Sequence, residues 1–212
     1  MKKSTAQSKA SETDWRDGFL FVGKNVCLDF INTRPEIDRQ PQELLPDWSA
    51  LMRWFRAAGL IERREALAFE RKWAESSEAA RTIKAMRELR EELRTDVRAW
   101  ERGGRVRAKT LRELNDLMSQ HPMLTKVGPN SGRLVAERWF PLQEPDSLFA
   151  PLADAAAKLF SQVNASRVRR CANCVLHFHD TSKIGIRRWC SMRLCGNREK
   201  VAAYAARHRS SE

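Results

Sequence analysis

The sequence predicts a mainly α-helical protein with a small β-hairpin, in which a helical N-terminal domain precedes a compact cysteine-bearing module. Apolar residues recur at helical spacing through most of the chain, and one turn-rich segment separates two short apolar runs. Four of the five cysteines lie between Cys171 and Cys195. A length of 212 residues suits one ordinary domain with a small appended module.

Three segments follow from these patterns. Residues 1–14 are polar and lack periodicity, which predicts a disordered tail. Residues 15–165 are predicted to form the helical domain. Residues 166–212 are predicted to form the cysteine module with its own C-terminal helix.

The first predicted elements of the helical domain are short. Phe19 to Val22 predict a strand that ends at Gly23. Asn25 can cap the next helix, because an asparagine side chain accepts hydrogen bonds from unpaired backbone N–H groups. The helix after that has an apolar face, made of Leu51, Trp54, Phe55 and Ala58.

Longer elements are predicted beyond residue 60. Residues 62–102 predict two helices of an antiparallel hairpin, because Ser76 offers a break and a new N-cap. The remaining elements are a helix, a β-hairpin and a last helix, predicted over residues 109–119, 124–127 with 134–140, and 147–164.

Positive charge is concentrated near the C-terminus. The chain has 39 Lys and Arg against 27 Asp and Glu, a net charge of +12. Residues 166–212 hold 11 basic and 3 acidic side chains, a net of +8. A polyanionic partner is therefore the leading inference.

The sequence predicts an intracellular protein. No run approaches the ~20 apolar residues of a membrane helix, so no membrane association is expected. The cysteines are clustered rather than spread in a disulfide framework, which indicates metal binding in a reducing compartment. A cytoplasmic location is expected.

The cysteine spacing predicts one structural zinc ion. Cys171-x2-Cys174 and Cys190-x4-Cys195 are two short pairs separated by fifteen residues, and each pair can direct two thiolates at one ion. Four thiolates complete a tetrahedral shell and leave no position for an activated water. The site is therefore expected to be structural.

Two histidines lie close enough to replace a cysteine ligand. Strand alternation places His177 and His179 opposite Leu176 and Phe178, which predicts exposed or phosphate-facing imidazoles rather than ligands. The segments 175–180 and 186–189 are predicted to pair as a hairpin, with Phe178 and Trp189 in a small core.

Beyond Cys195, helix-forming residues give the order knuckle, hairpin, helix, which is the layout of a treble-clef-like zinc finger. Helical spacing puts Asn197, Lys200, Tyr204 and Arg207 on one face, while Val201 and Ala205 can pack against the hairpin. The polar face suits a DNA major groove, where Asn pairs with adenine and Arg with guanine.

Basic residues around this face are predicted to bind phosphate. With the helix residues, the predicted nucleic-acid contacts are Arg169, Arg170, Lys183, Arg187, Arg188, Asn197, Arg198, Lys200 and Arg207, and Arg167 lies beside them. DNA is the favoured partner. RNA is the alternative, because Phe178, Trp189 and Tyr204 could stack on unpaired bases.

The string RRWCSMRLCGNREK closely resembles the CGNR zinc finger. Upstream, VCLDFINT and LPDWSALMRWFRAAGLI look like the ABATE domain that precedes this finger in bacterial proteins. The resemblance implies a stress-induced transcriptional regulator whose finger binds DNA, with zinc on Cys171, Cys174, Cys190 and Cys195. In one departure, Ile184 stands where a polar or basic residue is expected.

The resemblance also includes the LDFINT segment. Asp29, Asn32 and Thr33, with Arg34 as an anion partner, could line a pocket for an unknown small-molecule effector. The favoured alternative is that they satisfy backbone groups at helix ends. Cys27 has apolar neighbours and is expected to pack as a small hydrophobe.

The function predicted is a zinc-dependent DNA-binding transcription regulator whose helical domain senses a signal or forms a homodimer. RNA binding is the first alternative, and an enzyme with its site in the helical domain is a less favoured one. Zinc release on thiol oxidation is a further hypothesis. The chain has no G-x-S-x-G, no H-E-x-x-H and no phosphate-binding glycine loop. No enzyme activity and no catalytic residue are therefore predicted.

Overall fold

The structure is a computed structural model that describes residues 14–37, 40–201 and 204. The predicted tail, apart from Asp14, lies outside the described residues. So do Ala205 and Arg207 of the predicted C-terminal helix.

The described chain is mainly helical, as predicted, with small antiparallel strand pairs. The helices are α1 (Val26–Ile31), α2 (Trp48–Ala57), α3 (Arg63–Trp73), α4 (Ser77–Trp100), α5 (Ala108–Gln120) and α6 (Phe149–Gln162). The paired strands are β1 (Trp15–Arg16) with β2 (Phe19–Leu20), β3 (Glu36–Ile37) with β4 (Gln40–Pro41), β5 (Leu124–Asn130) with β6 (Arg133–Trp139), and β7 (Val168–Arg170) with β8 (His177–His179).

Side-chain caps set the start of three helices. The Asn25 side chain accepts from the N–H groups of α1, which confirms the predicted cap. Asp47 caps α2 by accepting from Ala50 N at 2.8 Å. Ser76 Oγ accepts from Ala79 N at 3.0 Å, so α4 begins where the sequence predicted a break. A single rod is thereby excluded; α3 contacts α2, and the antiparallel packing of α3 along α4 stays a prediction.

The predicted β-hairpin is present and longer than expected. Ser131 and Gly132 both have positive φ angles, of 50° and 80°, as a two-residue type I′ turn requires. Strands β5 and β6 pair over their whole length. The first pair beside the turn is Asn130 with Arg133, and the last is Leu124 with Trp139. Most residues of this hairpin are exposed to solvent.

The main core is centred on α2. Trp54 is fully buried and contacts the rings of Phe30 and Phe55. Helix α6 packs against α1 and α5 and closes the other side of the core. The short helix α1 is therefore buried among longer helices, and its C-terminal end faces β8.

A second apolar cluster surrounds the cysteines. Its buried members come from both ends of the chain: Leu20, Val22, Cys171, Leu176, Phe178, Cys190 and Cys195. The segment around β2 is thus part of the core of the C-terminal module. Over the residues described, no helix is both long enough and apolar enough to cross a membrane.

Candidate metal centre and nucleic-acid interface

The four predicted zinc ligands converge on one point. The sulfur atoms of Cys171, Cys174, Cys190 and Cys195 all lie within 4.8 Å of one another. Cys174 Sγ and Cys190 Sγ are 3.7 Å apart, and Cys190 Sγ and Cys195 Sγ are 3.8 Å apart. A tetrahedral ion with Zn–S bonds of ~2.3 Å places its sulfurs about 3.8 Å apart, so the cluster fits one structural zinc.

Backbone turns bring the two cysteine pairs together. Cys171 N donates to Leu176 O at 2.8 Å, which folds the first pair into a knuckle between β7 and β8. A π-helical turn over Met192–Gly196 carries the last cysteine, and Ser191 caps that turn. Residues 197–201 and Tyr204 continue as helix. Hydrogen bonds from the Cys174 and Cys190 thiols lower the pKa of Cys171 and so favour its thiolate form.

The strand pairing of the module differs from the prediction. Strand β8 pairs with β7 across the first knuckle, and not with residues 186–189. Asp180 explains the difference, because its carboxylate accepts from Ser182 N at 3.0 Å and from Arg187 N at 2.8 Å. These bonds hold residues 181–188 as a loop. Burial raises the pKa of Asp180, but the bonds from Ser182 and Arg187 outweigh it and bring the pKa down to about 2.

Three of the arginines proposed as phosphate contacts also support this module. Arg167 Nη1 donates to Ser182 O and Arg169 Nη2 donates to Gly185 O, each at 2.7 Å. Arg187 Nη2 donates to Cys190 O at 2.6 Å, and its guanidinium lies 4.8 Å from the centre of the Phe178 ring. Phosphate contact by Arg169 and Arg187 stays a prediction beside this observed bracing role.

The other described residues predicted to bind nucleic acid are exposed. They are Arg170, Lys183, Arg188, Asn197, Arg198 and Lys200. Arg193, which the sequence analysis did not single out, is exposed beside them. The predicted Arg207 contact lies outside the described residues.

The prediction for His177 is wrong. This side chain is only 1% exposed, and its Nε2 lies 3.5 Å from Glu101 Oε2 at the end of α4. His179 is half-buried. His177 is buried where β8 packs against α1, a long-range contact that strand alternation alone could not reveal.

Asn32 joins the helical domain to the cysteine module. Its Nδ2 donates to His177 O at 2.8 Å, and its Oδ1 accepts from His177 N at 2.9 Å. A single side chain therefore satisfies both backbone groups of one residue in β8. From the sequence, Asn32 is expected to line a pocket or to satisfy a helix end, and its contact with a strand 145 residues away is not predicted.

Asp29 supports a second link between the two parts. Its Oδ1 accepts from Gly23 N at 2.7 Å, while Gly23 O accepts from His179 N at 2.8 Å. Burial raises the pKa of Asp29 to about 7, although the Gly23 hydrogen bond opposes the shift. A Cβ atom at residue 23 would lie 2.7 Å from Leu28 Cβ, so only glycine fits at this junction.

The rest of the LDFINT segment is tied to α4. Thr33 Oγ1 donates to Phe30 O and accepts from Arg90 Nη1 at 2.9 Å. Arg34 is exposed and lies 3.6 Å from Glu91. The polar groups of Asp29, Asn32 and Thr33 thus have partners within the protein, which supports the structural interpretation over the pocket.

Cys27 is fully buried beside this segment, apart from the four clustered cysteines. Burial raises the pKa of its thiol to about 12, which keeps it protonated and unreactive. The expectation that it packs as a small hydrophobe agrees with this environment.

These observations define a helical domain bound edge to edge to a four-cysteine zinc finger. Comparison with protein families finds two matches: residues 24–163 match the ABATE family, described as "Putative stress-induced transcription regulator", and residues 167–208 match the CGNR zinc finger. The chain belongs to the ABATE family and carries a CGNR zinc finger. No curated protein matches it significantly. Leu20 and Val22 of the finger cluster lie outside both matched regions.

Proposed function

We propose that this protein is a DNA-binding transcription regulator that contacts duplex DNA through its zinc finger. The observation that carries the proposal is the charge on the finger surface. Among the described residues after 166, six exposed side chains are basic, and Glu199 is the one exposed acid. Exposed cations of this density match the phosphate backbone of a nucleic acid.

The start of the C-terminal helix supplies groups that suit base recognition. Asn197 and Arg198 are exposed in the first turn after the π-helical segment, and Lys200 follows them. Asn and Arg side chains make paired hydrogen bonds to adenine and guanine edges in the major groove, whereas Lys binds phosphate. We propose these residues as the reading face of the finger.

Stacking on unpaired RNA bases has weaker support. Phe178 is fully buried, and Arg188 lies over the half-buried Trp189 ring at 5.3 Å from its centre. Tyr204 is the exposed aromatic residue among the three proposed for stacking. Duplex DNA is therefore the partner we propose, and single-stranded RNA serves as the competitor in the test.

We propose that the helical domain holds the finger and passes a signal to it. The hydrogen bonds that Asn32 donates to His177 O and that Gly23 O accepts from His179 N connect the two parts directly. We place this activity in the bacterial cytoplasm during stress, where reducing conditions keep the four thiolates available to zinc. We propose no catalytic role.

The test is binding of the zinc-loaded full-length protein to a labelled random-sequence duplex over a range of salt concentrations. The double variant R198Q/K200Q removes two exposed finger charges. Its matched control is R81Q/K84Q, which removes two exposed charges from α4. Each phosphate contact contributes about 0.9 to the slope of log K against log salt. A variant that loses only the base contact of Arg198 and the phosphate contact of Lys200 should reduce that slope by about 1.

The control should bind as tightly as the parent protein. Absence of duplex binding at low salt, or equal effects of the two double variants, would overturn the proposal. Preference for single-stranded RNA over the duplex in direct competition would replace DNA with RNA as the partner.

A further inference from the structure

Two isoleucines are exposed on the loop of the finger. Ile184 and Ile186 are 75% and 67% exposed and stand on either side of Gly185. Isolated exposed apolar residues are ordinary, but clustered large ones mark a contact surface. Met192 is also exposed nearby, and these three residues and Trp189 line one shallow concavity of about 480 Å³.

The loop that carries the isoleucines is rigidly held. Asp180 accepts hydrogen bonds from both ends of it, and Arg167 and Arg169 donate to its carbonyl groups. Gly185 has a φ of 74°, and a Cβ at this position would collide with the Arg167 guanidinium. The two isoleucine side chains are therefore held outward before any partner binds.

The charge around the isoleucines indicates what they contact. Lys183 and Arg188 flank them and are exposed. Between Asp180 and Glu199 the sequence has no acidic residue. An apolar pair beside cations, with no acidic residue in the loop, is complementary to a partner with closely spaced negative charges around an apolar interior. Duplex DNA has this construction, with phosphates outside and stacked bases inside.

We propose that Ile184 and Ile186 form an apolar wedge that enters the DNA minor groove and partly unstacks one base step. Lys183 and Arg188 then neutralise the phosphates on either side. Side chains such as Ile, Leu and Met unstack base pairs in this way and kink the duplex by about 20–90°. A kinked duplex contacts more of a small protein surface than a straight one. This inference rests on the proposed DNA binding and adds a bending activity to it.

The test uses the zinc-loaded full-length protein and a duplex with a fluorophore at each end, so that energy transfer reports bending. A second duplex carries 2-aminopurine, whose fluorescence rises when its base unstacks. The variant is I184S/I186S, which changes only exposed side chains and leaves every charge in place. The control is V201S: Val201 is 68% exposed on the adjacent helix, so the expectation that it packs against the hairpin is wrong.

We expect the parent protein and V201S to bend the duplex and to raise 2-aminopurine fluorescence at least twofold. The I184S/I186S variant should lose both signals while its salt slope stays within about 0.5 of the parent value. Zinc content of one per chain and an unchanged circular dichroism spectrum would show that the variant is folded.

Two results would overturn the wedge and leave DNA binding intact: a parent that binds without bending, or an I184S/I186S variant that bends like the parent. Failure of the parent to bind duplex at all would remove both proposals together.

Discussion

Asn32 and His177 are 145 residues apart in sequence and joined by two hydrogen bonds in the structure. The Asn32 amide presents its N–H to the C=O of His177 and its oxygen to the N–H of His177, as the backbone of a neighbouring strand would. It therefore occupies the free edge of β8 as a strand would. The contact fixes the finger to the end of α1 at a position that is buried on both sides.

Replacing Asn32 with alanine should loosen the finger from the helical domain. The change removes two buried hydrogen bonds and leaves the backbone N–H and C=O of His177 without partners. Each net bond contributes about 1 kcal/mol, and each orphaned group costs about 1–3 kcal/mol. We expect the free energy of unfolding to fall by about 3 kcal/mol, measured by urea denaturation of the zinc-loaded protein.

The matched control for this change is Asn130→Ala in the exposed turn of the β-hairpin. It should alter the unfolding free energy by less than about 0.5 kcal/mol. Amide hydrogen exchange at His177 adds a local readout, since it should accelerate only in the Asn32 variant. Equal stability of the two variants would show that the Asn32 contact is dispensable.

Gly23→Ala should disturb the second link between the two parts. The new methyl group would overlap Leu28 Cβ and the Asp29 backbone and carboxylate, all within 3 Å of it. The strain of an overpacked site is about 1–3 kcal/mol, and the bond from His179 N to Gly23 O would weaken with it. Thermal unfolding of Gly128→Ala is the comparison, because a Cβ at Gly128 meets no atom within 4 Å.

Zinc removal should affect the N-terminal segment as well as the finger. Leu20 and Val22 are buried against the clustered cysteines, so loss of the metal removes their packing partners. After chelation we expect faster amide exchange in residues 19–23 and 168–196, with α2 still protected. Cys190→Ser should abolish zinc binding, whereas Cys27→Ala should retain one zinc per chain. Unchanged protection at residues 19–23 after chelation would contradict the shared core.

Asp29 should make stability depend on pH in an unusual direction. Its pKa in the folded protein, about 7, lies above the ordinary aspartate pKa of 3.8, so the folded state binds the proton more tightly. This group therefore stabilises the fold less as pH rises from about 4 to 7, by up to ~1.4 kcal/mol per pH unit. Asp29→Asn removes the titration, and its stability relative to the parent should rise between pH 5.5 and 7.5.

The measurement is the difference in unfolding free energy between Asp29→Asn and the parent protein at each pH with zinc bound. Taking the difference cancels the titration of the zinc ligands, which both proteins share. A difference that stays constant from pH 5.5 to 7.5 would show that Asp29 titrates below that range.

Arg90→Ala should be strongly destabilising. The Arg90 side chain is almost fully buried and donates to Thr33 at 2.9 Å and to the Glu43 carboxylate at 2.7 Å. The change removes the bonds of the guanidinium to Thr33 and Glu43 and leaves a cavity in the core, and each bond to a charged group contributes about 1.5–3 kcal/mol. Urea denaturation should show this loss, while Arg81→Ala on the exposed face of α4 should change stability little. Recovery of part of the loss in the double variant R90M/E43M would confirm the cause.

Local features of the fold were predictable from sequence. The helix caps at Asn25 and Ser76 depend only on neighbouring residues. The spacing of the four cysteines is enough to predict that they bind one metal ion together. The exposed turn at Ser131 and Gly132 is equally local. In each case the chemistry that determines the structure lies within a few residues.

Long-range pairing was not predictable in the same way. The burial of His177 depends on α1 and on Glu101, and the strand partner of β8 depends on the loop that Asp180 holds. The cysteine spacing is compatible with pairing of β8 to β7 and also with pairing of β8 to residues 186–189. The alternation of apolar and polar residues over 175–180 does not indicate which edge of the strand forms hydrogen bonds with Asn32.

The shared core of the finger has a consequence for synthesis of the chain. Leu20 and Val22 leave the ribosome early, but Leu176, Phe178 and the cysteines that cover them are translated more than 140 residues later. Until then the first strands have no finger to pack against. Completion of the fold must therefore wait for the last quarter of the polypeptide, and a chain released before residue 166 would expose an apolar strip at its beginning.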